Sequence, residues 1–572
     1  MTARAWLVAS SVLFGVACGG ASAPAGSSPT ATGTGKASLV IVNGKVHTMD
    51  EAGTIAQAVA ISGNTILKVG TSAEIEALAG PGTQVIDARG STVAPGFNDA
   101  HVHFISGGQS LGDVDLSGLT TLQQVQDQIR EFAATKPEMP WIKGRGWLYT
   151  PFTNGSPTKA QLDLVVPDRL AVMTCYDGHS VWVNTKVLTL AGITKATKDP
   201  VNGVIVRDPK TGEPTGHLKE SAMDLIAGVL PQVTDEIRRA ALGAAVAHAN
   251  ELGLTSIQNA GGSVEEMAIY DTARKSGALT VRAYLATQAE AGITEADVDK
   301  MEAARARYGD DPTVRTGIVK MYADGVIESK TAAMLTPYVG TKSAGTPNMT
   351  AAEMNRIVAM FDQRGWQIQI HAIGDRAIRM ALDAYENAAK VNPMPARGRR
   401  HRLEHIEVIS AQDIARFGTL GVIASQQPIH AALGDVNQAV PTGPWPDAIG
   451  PDRAARAWVW KSIQAAGGRL AFGSDWPVAP LDPGQGLWLA STRIKATRAA
   501  DQRLSLDEAI AGYTKWAAYA SFDEQRKGTL APGMLADVVV LNADLAAAPI
   551  PSPSGVTVAV TIFDGKVVYE KP

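Results

Sequence analysis

Side chains of the kinds that bind metal ions recur along this chain, each near the C-terminal end of a short apolar run. They are His101 and His103 in GFNDAHVHF, His371 after WQIQI, His405 in RLEHIEV, and Asp475 after AFGS. Side chains alternate along a strand, so His101 and His103 are predicted to point to the same face. Neutral imidazoles together with a carboxylate suit Zn²⁺ or a similar divalent ion. The pattern therefore predicts a metal site made of histidines and an aspartate.

Bulk composition narrows the classes of function. The chain of 572 residues has two cysteines, Cys18 and Cys175, which excludes a zinc-finger spacing and a disulfide framework. The formal net charge is −4 and no Lys/Arg-rich stripe occurs, so nucleic acid is not an expected partner. An apolar content of 45% with 19% charged residues is sufficient for a large globular core. We expect a small-molecule substrate, and a homo-oligomer is compatible with the sequence.

Repeated apolar runs separated by helical patterns are the elements that must position these side chains. The runs are GFNDAHVHF, LTSIQNAG, LTVRAYLAT, RTGIVKMYADG, WQIQIHAIGD, RHRLEHIEVI, GVIASQQP and RLAFGSDWP. Eight strands that alternate with helices favour an α/β fold, the (β/α)₈ TIM barrel. A doubly wound sheet is the rival, but no glycine fingerprint follows a strand. Barrel enzymes place catalytic groups at the C-terminal ends of the strands, where the candidate ligands stand.

Both ends of the chain are rich in short Val/Ile strands with turn signals between them, such as SLVIVNGKVHTMD and VTVAVTIFDGKVVYEKP. We predict that both ends form a small β-sandwich, residues 38–93 plus 531–572, beside a barrel over 94–530. About 130 residues separate the first barrel strand from the second, far more than one crossover helix needs. An inserted cap is therefore predicted between strands 1 and 2, at about 105–235.

Lys320 is a further anomaly, because it stands within the apolar run GIVKMYADG. A barrel would bury this strand on both sides, and an unpaired buried ammonium group costs several kcal/mol. A carbamate formed with CO₂ would convert the lysine into an anionic oxygen donor that can bridge two metal ions. A mononuclear site that uses only histidines and Asp475 is the alternative.

The N-terminus has the features of an export signal. MTARAWLVASSVLFGVAC contains Arg4 and an apolar run of signal-peptide length, too short to span a bilayer comfortably. Its end, GVAC, resembles a lipobox, the site where bacterial lipoproteins are cleaved and lipidated. We predict a signal peptide over 1–17, lipidation of Cys18 and a flexible tether over 18–37. The expected location is the bacterial cell envelope, with the lipid anchor as the membrane contact. Ordinary cleavage, giving a soluble periplasmic or secreted protein, is the alternative.

The ordered set His-x-His, Lys, His, His, Asp on successive strands resembles the amidohydrolase superfamily. Further motifs support the resemblance, including APGFNDAHVH, PTKAQLD, DGHSVWVNTKVL, KMYADG, HAIGDRAI, GSDWPVAPLDP and RKGTLAPGMLADVVVLNADL. The branch indicated is that of metal-dependent hydrolases similar to N-substituted formamide deformylase. The motifs run from about residue 38 to the C-terminus and say little about the substrate.

The resemblance implies a site with one or two divalent metal ions, zinc being the expected metal. His101, His103 and Asp475 would hold one ion, and His371 and His405 would hold a second. The carbamylated lysine would bridge both ions together with a hydroxide. Asp475 would also take the proton from the attacking water and pass it to the leaving group. Metal-bound water ionises near pH 7, and the metal polarises the scissile carbonyl.

The predicted function is metal-dependent hydrolysis of a C–N bond, with a linear amide (an N-acyl or N-formyl compound) as the expected substrate. Hydrolysis of a cyclic amide and deamination are alternatives within the same superfamily. A lipoprotein that contains metal and captures a small molecule without turnover is the alternative from a different class. The presence of Asp475 as a base argues against it, because a non-catalytic relative would be free to lose this residue.

Other polar and aromatic residues are weaker candidates. His179, His430 and Trp147 are candidate substrate contacts, although core packing is the favoured explanation for Trp147 and Trp182. Carboxylates that could orient the metal ligands through hydrogen bonds are Asp99, Asp177, Asp324 and Glu404. The histidines expected to be structural are His47, His217, His248 and His401. Asn259 stands where many relatives would have an aspartate, but this position is not a predicted ligand.

Overall fold

The computed structural model describes residues 36–308, 311–432, 444–492, 501–547 and 555–572. The signal peptide predicted at 1–17, the lipidation predicted at Cys18 and most of the predicted tether lie outside these residues. Within the described ranges, no helix combines the length and the hydropathy that a membrane span requires.

The N-terminal part of the fold consists of short strands whose valine, isoleucine and alanine side chains are mostly buried. The elements are β1 (Leu39–Val42), β2 (Lys45–His47), β3 (Ile55–Ala56), β4 (Ala58–Ser62), β5 (Thr65–Gly70), α1 (Ser72–Glu76), β6 (Gln84–Asp87) and β7 (Thr92–Pro95). Four of these strands form one sheet in the order β5-β4-β1-β6, with β1 antiparallel to β4 and parallel to β6.

The first barrel strand is followed by a long insertion that builds a sheet of its own. The elements are β8 (Phe97–Val102), α2 (Phe104–Ser110), β9 (Val114–Asp115), α3 (Leu122–Thr135), β10 (Trp141–Trp147), α4 (Lys159–Asp163), β11 (Leu170–Cys175), β12 (Ser180–Val183), α5 (Thr185–Leu190), β13 (Gly203–Arg207), β14 (Pro214–Glu220) and α6 (Asp235–Glu251). Strands β9 to β14 pair in the order β13-β14-β12-β11-β10-β9. Trp147 and Trp182 belong to the buried core on this sheet.

The rest of the barrel alternates strands with helices. The elements are β15 (Leu254–Asn259), α7 (Val264–Lys275), β16 (Arg282–Gln288), α8 (Glu295–Tyr308), β17 (Val314–Tyr322), α9 (Ala351–Gln363), β18 (Gln367–Ala372), α10 (Asp375–Val391), β19 (Arg402–His405), α11 (Ala411–Leu420), β20 (Ile423–Gln426), α12 (Pro444–Ile449), α13 (Pro451–Ala454), α14 (Trp460–Ala465), β21 (Arg469–Phe472), α15 (Pro483–Thr492), α16 (Leu506–Gly512) and α17 (Lys515–Ala520). The helices bury an apolar stripe, as in α10, where Ala377, Ile378, Ala381, Leu382 and Tyr385 recur at helical spacing.

Eight parallel strands form the barrel in the order β8, β15, β16, β17, β18, β19, β20, β21. The eight apolar runs correspond to these strands, so the predicted barrel is confirmed. Closure between β21 and β8 is completed by the residues that follow β21, because Asp475 N donates to His101 O at 2.7 Å. Gly473 permits this approach, since a Cβ atom there would lie 2.4 Å from His101 N.

The chain ends in three further strands, β22 (Val538–Leu541), β23 (Val558–Phe563) and β24 (Lys566–Glu570). They join N-terminal strands in a six-stranded sheet of order β24-β23-β22-β7-β2-β3. Ile41 and Ile61 of the four-stranded sheet share one buried cluster with Val93, Val540 and Ile562 of the six-stranded sheet. Both ends of the chain therefore contribute to one core.

Candidate metal centre

The candidate ligands meet at the C-terminal rim of the barrel. His101 lies in β8, Lys320 in β17, His371 in β18 and His405 at the end of β19, and Asp475 follows β21. All five side chains are buried. Parallel strands end at the same rim, which is why residues far apart in the sequence converge there.

His103 differs in detail from the expectation that it shares a strand with His101. Strand β8 ends at Val102, and His103 is the N-cap residue of α2, because the chain turns into the helix at this point. The two imidazoles still reach one carboxylate, since the Nε2 atoms of His101 and His103 each lie 3.4 Å from Asp475 Oδ1. The side chain of His103 is 27% exposed and faces the cavity above the rim.

Asp475 is the centre of the cluster. Its Oδ2 lies 4.0 Å from His405 Nδ1 and 3.8 Å from His430 Nε2. Asp475 Oδ1 and His430 Nε2 are buried and have no hydrogen-bond partner in the part of the chain that the structure describes. Leaving buried polar atoms of this kind unpaired is unfavourable, and a cation among them would satisfy both.

The donor set fits a divalent metal ion. The potential ligand atoms lie within 4.8 Å of one another in two groups, His101 with His103 and Asp475, and His405 with His430 and Asp475. Burial lowers the pKa of His103 and holds the pKa of His405 well below its ordinary value, which favours the neutral form that binds metal ions. Despite burial, neighbouring imidazoles, His101 foremost, hold the pKa of Asp475 well below its usual range.

His371 stands beside His405 on the neighbouring strand, with 4.5 Å between the ring centroids. Its Nε2 donates to the carbonyl oxygen of Gly325 at 3.2 Å. Burial holds the pKa of His371 well below its ordinary value. The two neutral rings are therefore adjacent, as a shared ion would require.

Lys320 lies deep in the same cluster. Its Nζ is 3.4 Å from His101 Nε2 and 4.7 Å from the centroid of the Tyr322 ring. Among the described residues, no carboxylate lies within ion-pair distance of this ammonium group. Burial lowers the pKa of Lys320 to about 8, so its amine loses the proton far more readily than that of an exposed lysine.

A buried ion pair orients His101. Its Nδ1 donates to Glu404 Oε2 at 2.5 Å, which leaves Nε2 facing Asp475. Arg402 Nε donates to Glu404 Oε1 at 2.9 Å. Although burial opposes it, Arg402 and His101 together lower the pKa of Glu404 to about 2. Glu404 is thus a carboxylate that sets both the tautomer and the direction of the ring.

The other predicted orienting residues act mainly through the backbone. Asp99 Oδ1 accepts from the backbone N–H groups of His101 at 2.9 Å and Ser474 at 3.1 Å, tying β8 to the segment before Asp475. Asp324 accepts from the backbone N–H groups of Ala333, Ile373 and Gly374 at 2.8–3.1 Å, which holds the loop beyond His371. Asn259 Oδ1 accepts from Phe104 N at 2.9 Å and so supports the start of α2.

Strained backbone is found at two of the ligands. His405 has φ of 71° and Asp475 has φ of 61°, in the left-handed region that favours glycine. A non-glycine residue in such a conformation costs on the order of 1–3 kcal/mol and persists only where the surroundings enforce it. Here the strain turns two side chains from the ends of β19 and β21 into one cluster.

A cavity of about 880 Å³ opens directly above the cluster. On the barrel side, the cavity is lined by candidate ligands and by the loop after β17. The insertion lines the rest of the wall. The residues from the insertion include Arg145, Tyr176, Asp177, His179, Lys219 and Glu220. The cavity therefore lies between the barrel rim and the inserted sheet.

The weaker candidates separate into two groups. His179 and His430 line the cavity. Trp147 is fully buried and donates its Nε1–H to Met173 O at 2.7 Å, so the structure places it in the core of the insertion rather than at the cavity wall. Asp177 Oδ1 accepts from His179 N at 2.9 Å, which orients a cavity residue rather than a metal ligand.

Sequence reasoning missed several residues of the cavity wall. Arg145 donates through Nε to Pro477 O at 2.8 Å, Glu220 contacts His179, and Tyr176 OH donates to Glu328 Oε1 at 2.5 Å. These residues come from loops and from the inserted sheet and follow no ligand spacing. The one available signal was a charged residue at the end of an apolar strand, as Glu220 is in GHLKE.

Comparison with known proteins agrees with this geometry. A family model described as the amidohydrolase family matches residues 84–569. The chain belongs to the amidohydrolase family. It is accordingly an enzyme that acts on carbon–nitrogen bonds.

Individual relatives share most of their length with this amidohydrolase. The putative amidohydrolase YtcJ of Bacillus subtilis is 32% identical, with 92% of this chain and 98% of the relative covered. The N-substituted formamide deformylase of Arthrobacter pascens is 27% identical, covering 93% and 98%. The crystal structure of an uncharacterised metal-dependent hydrolase from Pyrococcus furiosus has a TM-score of 0.66 at 24% identity, covering 87% and 97%, and it supports the fold.

Proposed function

We propose that this amidohydrolase hydrolyses a linear amide, an N-acyl or N-formyl compound, at the cluster centred on Asp475. The observation that carries the proposal is a buried carboxylate with an unpaired oxygen, faced by imidazoles, at the floor of a large cavity. Similarity to a protein named N-substituted formamide deformylase supports the choice of a linear amide.

The proposed metal-binding residues form two ligand groups, the second of which pairs His405 with His371 rather than with His430. His101, His103 and Asp475, the first ligand group, would hold one divalent ion, and His371 and His405, the second ligand group, would hold another. A bound zinc or similar ion would lower the pKa of water and polarise the amide carbonyl. We propose a carbamate on Lys320 because its neutral amine, the form that reacts with CO₂, is favoured by burial.

Asp475 would act as the base in this reaction. Its carboxylate is ionised and lies at the cavity floor, where it can accept the proton of the attacking water. The same carboxyl group would then give that proton to the leaving nitrogen as the C–N bond breaks. Glu404 would keep His101 in place throughout, since it is buried and paired on both oxygens.

The surrounding parts of the chain have proposed roles as well. We propose that the two terminal sheets form one β-sandwich domain, residues 38–93 plus 531–572, and that the insertion at about 105–235 caps the barrel of 94–530. His179 and His430 would contact the substrate from the cavity wall. We also propose that the protein is exported and lipidated on Cys18; labelled fatty acid should then be incorporated by the parent and be lost in Cys18→Ser.

The test of the proposed function is an activity screen on metal-loaded protein. N-formyl, N-acyl and cyclic-amide compounds should be compared, with metal content measured by elemental analysis. We expect one to two divalent ions per chain, turnover of linear amides and loss of turnover on chelation. Protein that binds no stoichiometric metal, or that cleaves only cyclic amides, would contradict the proposal.

A further inference from the structure

His179 is held against the metal centre by the inserted sheet. It lies in the turn between β11 and β12 and lines the cavity. Its ring centroid is 6.0 Å from that of His371, a residue of the second ligand group. The insertion therefore brings an imidazole to the edge of the cluster that the barrel strands build.

Glu220 fixes the direction of this imidazole. His179 Nδ1 donates to Glu220 Oε2 at 2.8 Å. The other oxygen, Glu220 Oε1, accepts from Ser329 Oγ at 2.9 Å and Thr331 Oγ1 at 2.7 Å, both in the loop after β17. The carboxylate is thus fully engaged between the insertion and the barrel. With Nδ1 committed to Glu220, Nε2 is the ring atom left to meet a bound molecule.

The backbone around the pair is also specialised. Glu220 has φ of 51° and ψ of −133°, a conformation that costs a non-glycine residue on the order of 1–3 kcal/mol. Its backbone N–H donates to His179 O at 3.0 Å, and Asp177 accepts from the backbone N–H of His179. The two residues are therefore joined through both main chain and side chains. Strain of this kind is found most often at functional sites.

The electrostatic surroundings favour a positively charged ring. The ionised carboxylate of Glu220 lies at hydrogen-bond distance, and Asp177 and Glu328 are close by on the cavity wall. The hydrogen bond from Nδ1 to Glu220, together with the carboxyl groups of Asp177 and Glu328 on the same wall, favours the charged ring over the neutral one. A charged imidazole carries a proton on Nε2 as well as on Nδ1.

We propose that His179 is a catalytic residue supplied by the insertion, whose Nε2–H donates to the carbonyl oxygen of the scissile amide, and that Glu220 is its positioning residue. The inference rests on the proposed function. As the water oxygen bonds to the carbonyl carbon, the π electron pair moves onto the carbonyl oxygen, and His179 stabilises that negative charge. When the pair returns, the C–N bond breaks, and the nitrogen takes its proton from Asp475.

Donors placed at a developing oxyanion contribute about 10²–10³-fold to turnover when tested by substitution. His179→Gln should therefore lower kcat by about that factor, with KM changed only a few-fold and metal content unchanged. Glu220→Gln should have a smaller effect of the same kind, because the ring loses its charged partner but not its position on the turn. A residue that merely ties the insertion to the barrel would change stability and leave kcat near the parent value.

His217 provides a matched control in the same sheet. It is fully buried in the insertion, and Ser156 Oγ lies 2.9 Å from its Nδ1, but it does not line the cavity. His217→Gln should lower thermal stability without a selective loss of kcat. Equal kcat losses in His179→Gln and His217→Gln would mean that general disturbance of the insertion explains the result, and the proposed role would be overturned.

Binding of methylphosphonate, a tetrahedral anion, separates this inference from the proposed function. Calorimetry on metal-loaded parent and variants needs no turnover, so it reports on His179 even if no amide in the panel is cleaved. We expect His179→Gln to weaken methylphosphonate binding at least tenfold at unchanged metal content, and His217→Gln to leave it unchanged. Equal affinity in the parent and in His179→Gln would overturn the assignment of His179, whereas failure of the amide screen alone would count against the proposed function.

Discussion

The two ligand groups stand on the same barrel rim, but different chemistry holds them. In the first ligand group, His101 donates to the buried carboxylate of Glu404, which is itself paired with Arg402. In the second ligand group, His405 Nδ1 donates to the neutral amide oxygen of Gln427 at 2.9 Å, and His371 donates to a backbone carbonyl. In the first group a hydrogen bond therefore goes to a charged carboxylate, whereas the hydrogen bonds of His405 and His371 go to neutral oxygens, with the carboxylate of Asp324 further away, 3.7 Å from His371 Nε2.

Hydrogen bonds to charged groups contribute about 1.5–3 kcal/mol, compared with about 0.5–1.5 kcal/mol for neutral pairs. The first ligand group should therefore be the more pre-organised half. We expect the ion that it holds to be the last to leave when the protein is titrated with a chelator. The following predictions test this asymmetry, beginning with the largest effect.

Asp475→Asn should remove the proton transfer on which turnover at both ligand groups depends. The amide oxygen can still bind a metal ion, but it cannot take a proton from water, and general-base catalysis is worth about 10²–10⁴-fold. We expect most of the metal and the fold to remain while turnover falls by that factor or more. His371→Ala serves as the comparison variant, and we expect it to lose bound metal as well as turnover. Near-parental turnover in Asp475→Asn would mean that this residue is not the proton shuttle.

Glu404→Gln should damage the first ligand group selectively. The change leaves the guanidinium of Arg402 buried without its charged partner, which typically destabilises a protein by about 3–5 kcal/mol. Loss of an orienting partner also weakens metal binding by about 10–100-fold. Chelator competition and urea unfolding measure the two effects. If the tighter-bound ion is unaffected, the charged support of His101 does not explain the asymmetry.

Lys320→Ala tests whether the two groups are joined. If a carbamate bridges the ions, metal content should fall, and added short carboxylic acids should restore part of it. Elemental analysis with and without acetate gives the answer. Unchanged metal content in this variant would favour a mononuclear site of histidines and Asp475.

Glu404 also links stability to pH. Its pKa in the folded protein is about 2, below the ordinary 4.5, so the unfolded chain binds this proton more readily. The stabilisation is fully present above about pH 4.5 and is lost as the pH falls through about 2. Metal-free parent protein should lose stability across this window on acidification, and Glu404→Gln should lose less. If urea unfolding shows the same loss of unfolding free energy with falling pH in the parent and in Glu404→Gln, other carboxylates dominate the pH dependence of stability.

Gln427→Ala is the mildest test and the control for Glu404→Gln. It removes a neutral acceptor from His405, so we expect a loss of about 0.5–1.5 kcal/mol in unfolding free energy. Only the weaker-bound ion should be affected in the chelator titration. A loss as large as that in Glu404→Gln would show that the two halves are supported equally.

Much of the architecture could be predicted because it depends on local patterns. Apolar runs of strand length alternating with amphipathic helices specify a parallel barrel, and residues at the ends of such strands must share one rim. His101, His371, His405 and Asp475 were predicted at the rim in this way, and the structure brings them together there. For Trp147 the sequence left a pocket open beside the favoured core position, because a large aromatic side chain suits both, and the structure places it in the core.

The sequence by itself determined the types of the candidate ligands, their order along the strands and the family to which the chain belongs. Only the tertiary structure decided that Glu404 supports the first ligand group, that Glu220 orients His179 in the cavity wall, and that Asp475 of the first group lies 4.0 Å from His405 of the second. The physical reason is that these arrangements join residues separated by tens to hundreds of positions. Such contacts leave no periodic pattern in the sequence, because they form in the folded protein between the barrel rim, the loops and the inserted sheet.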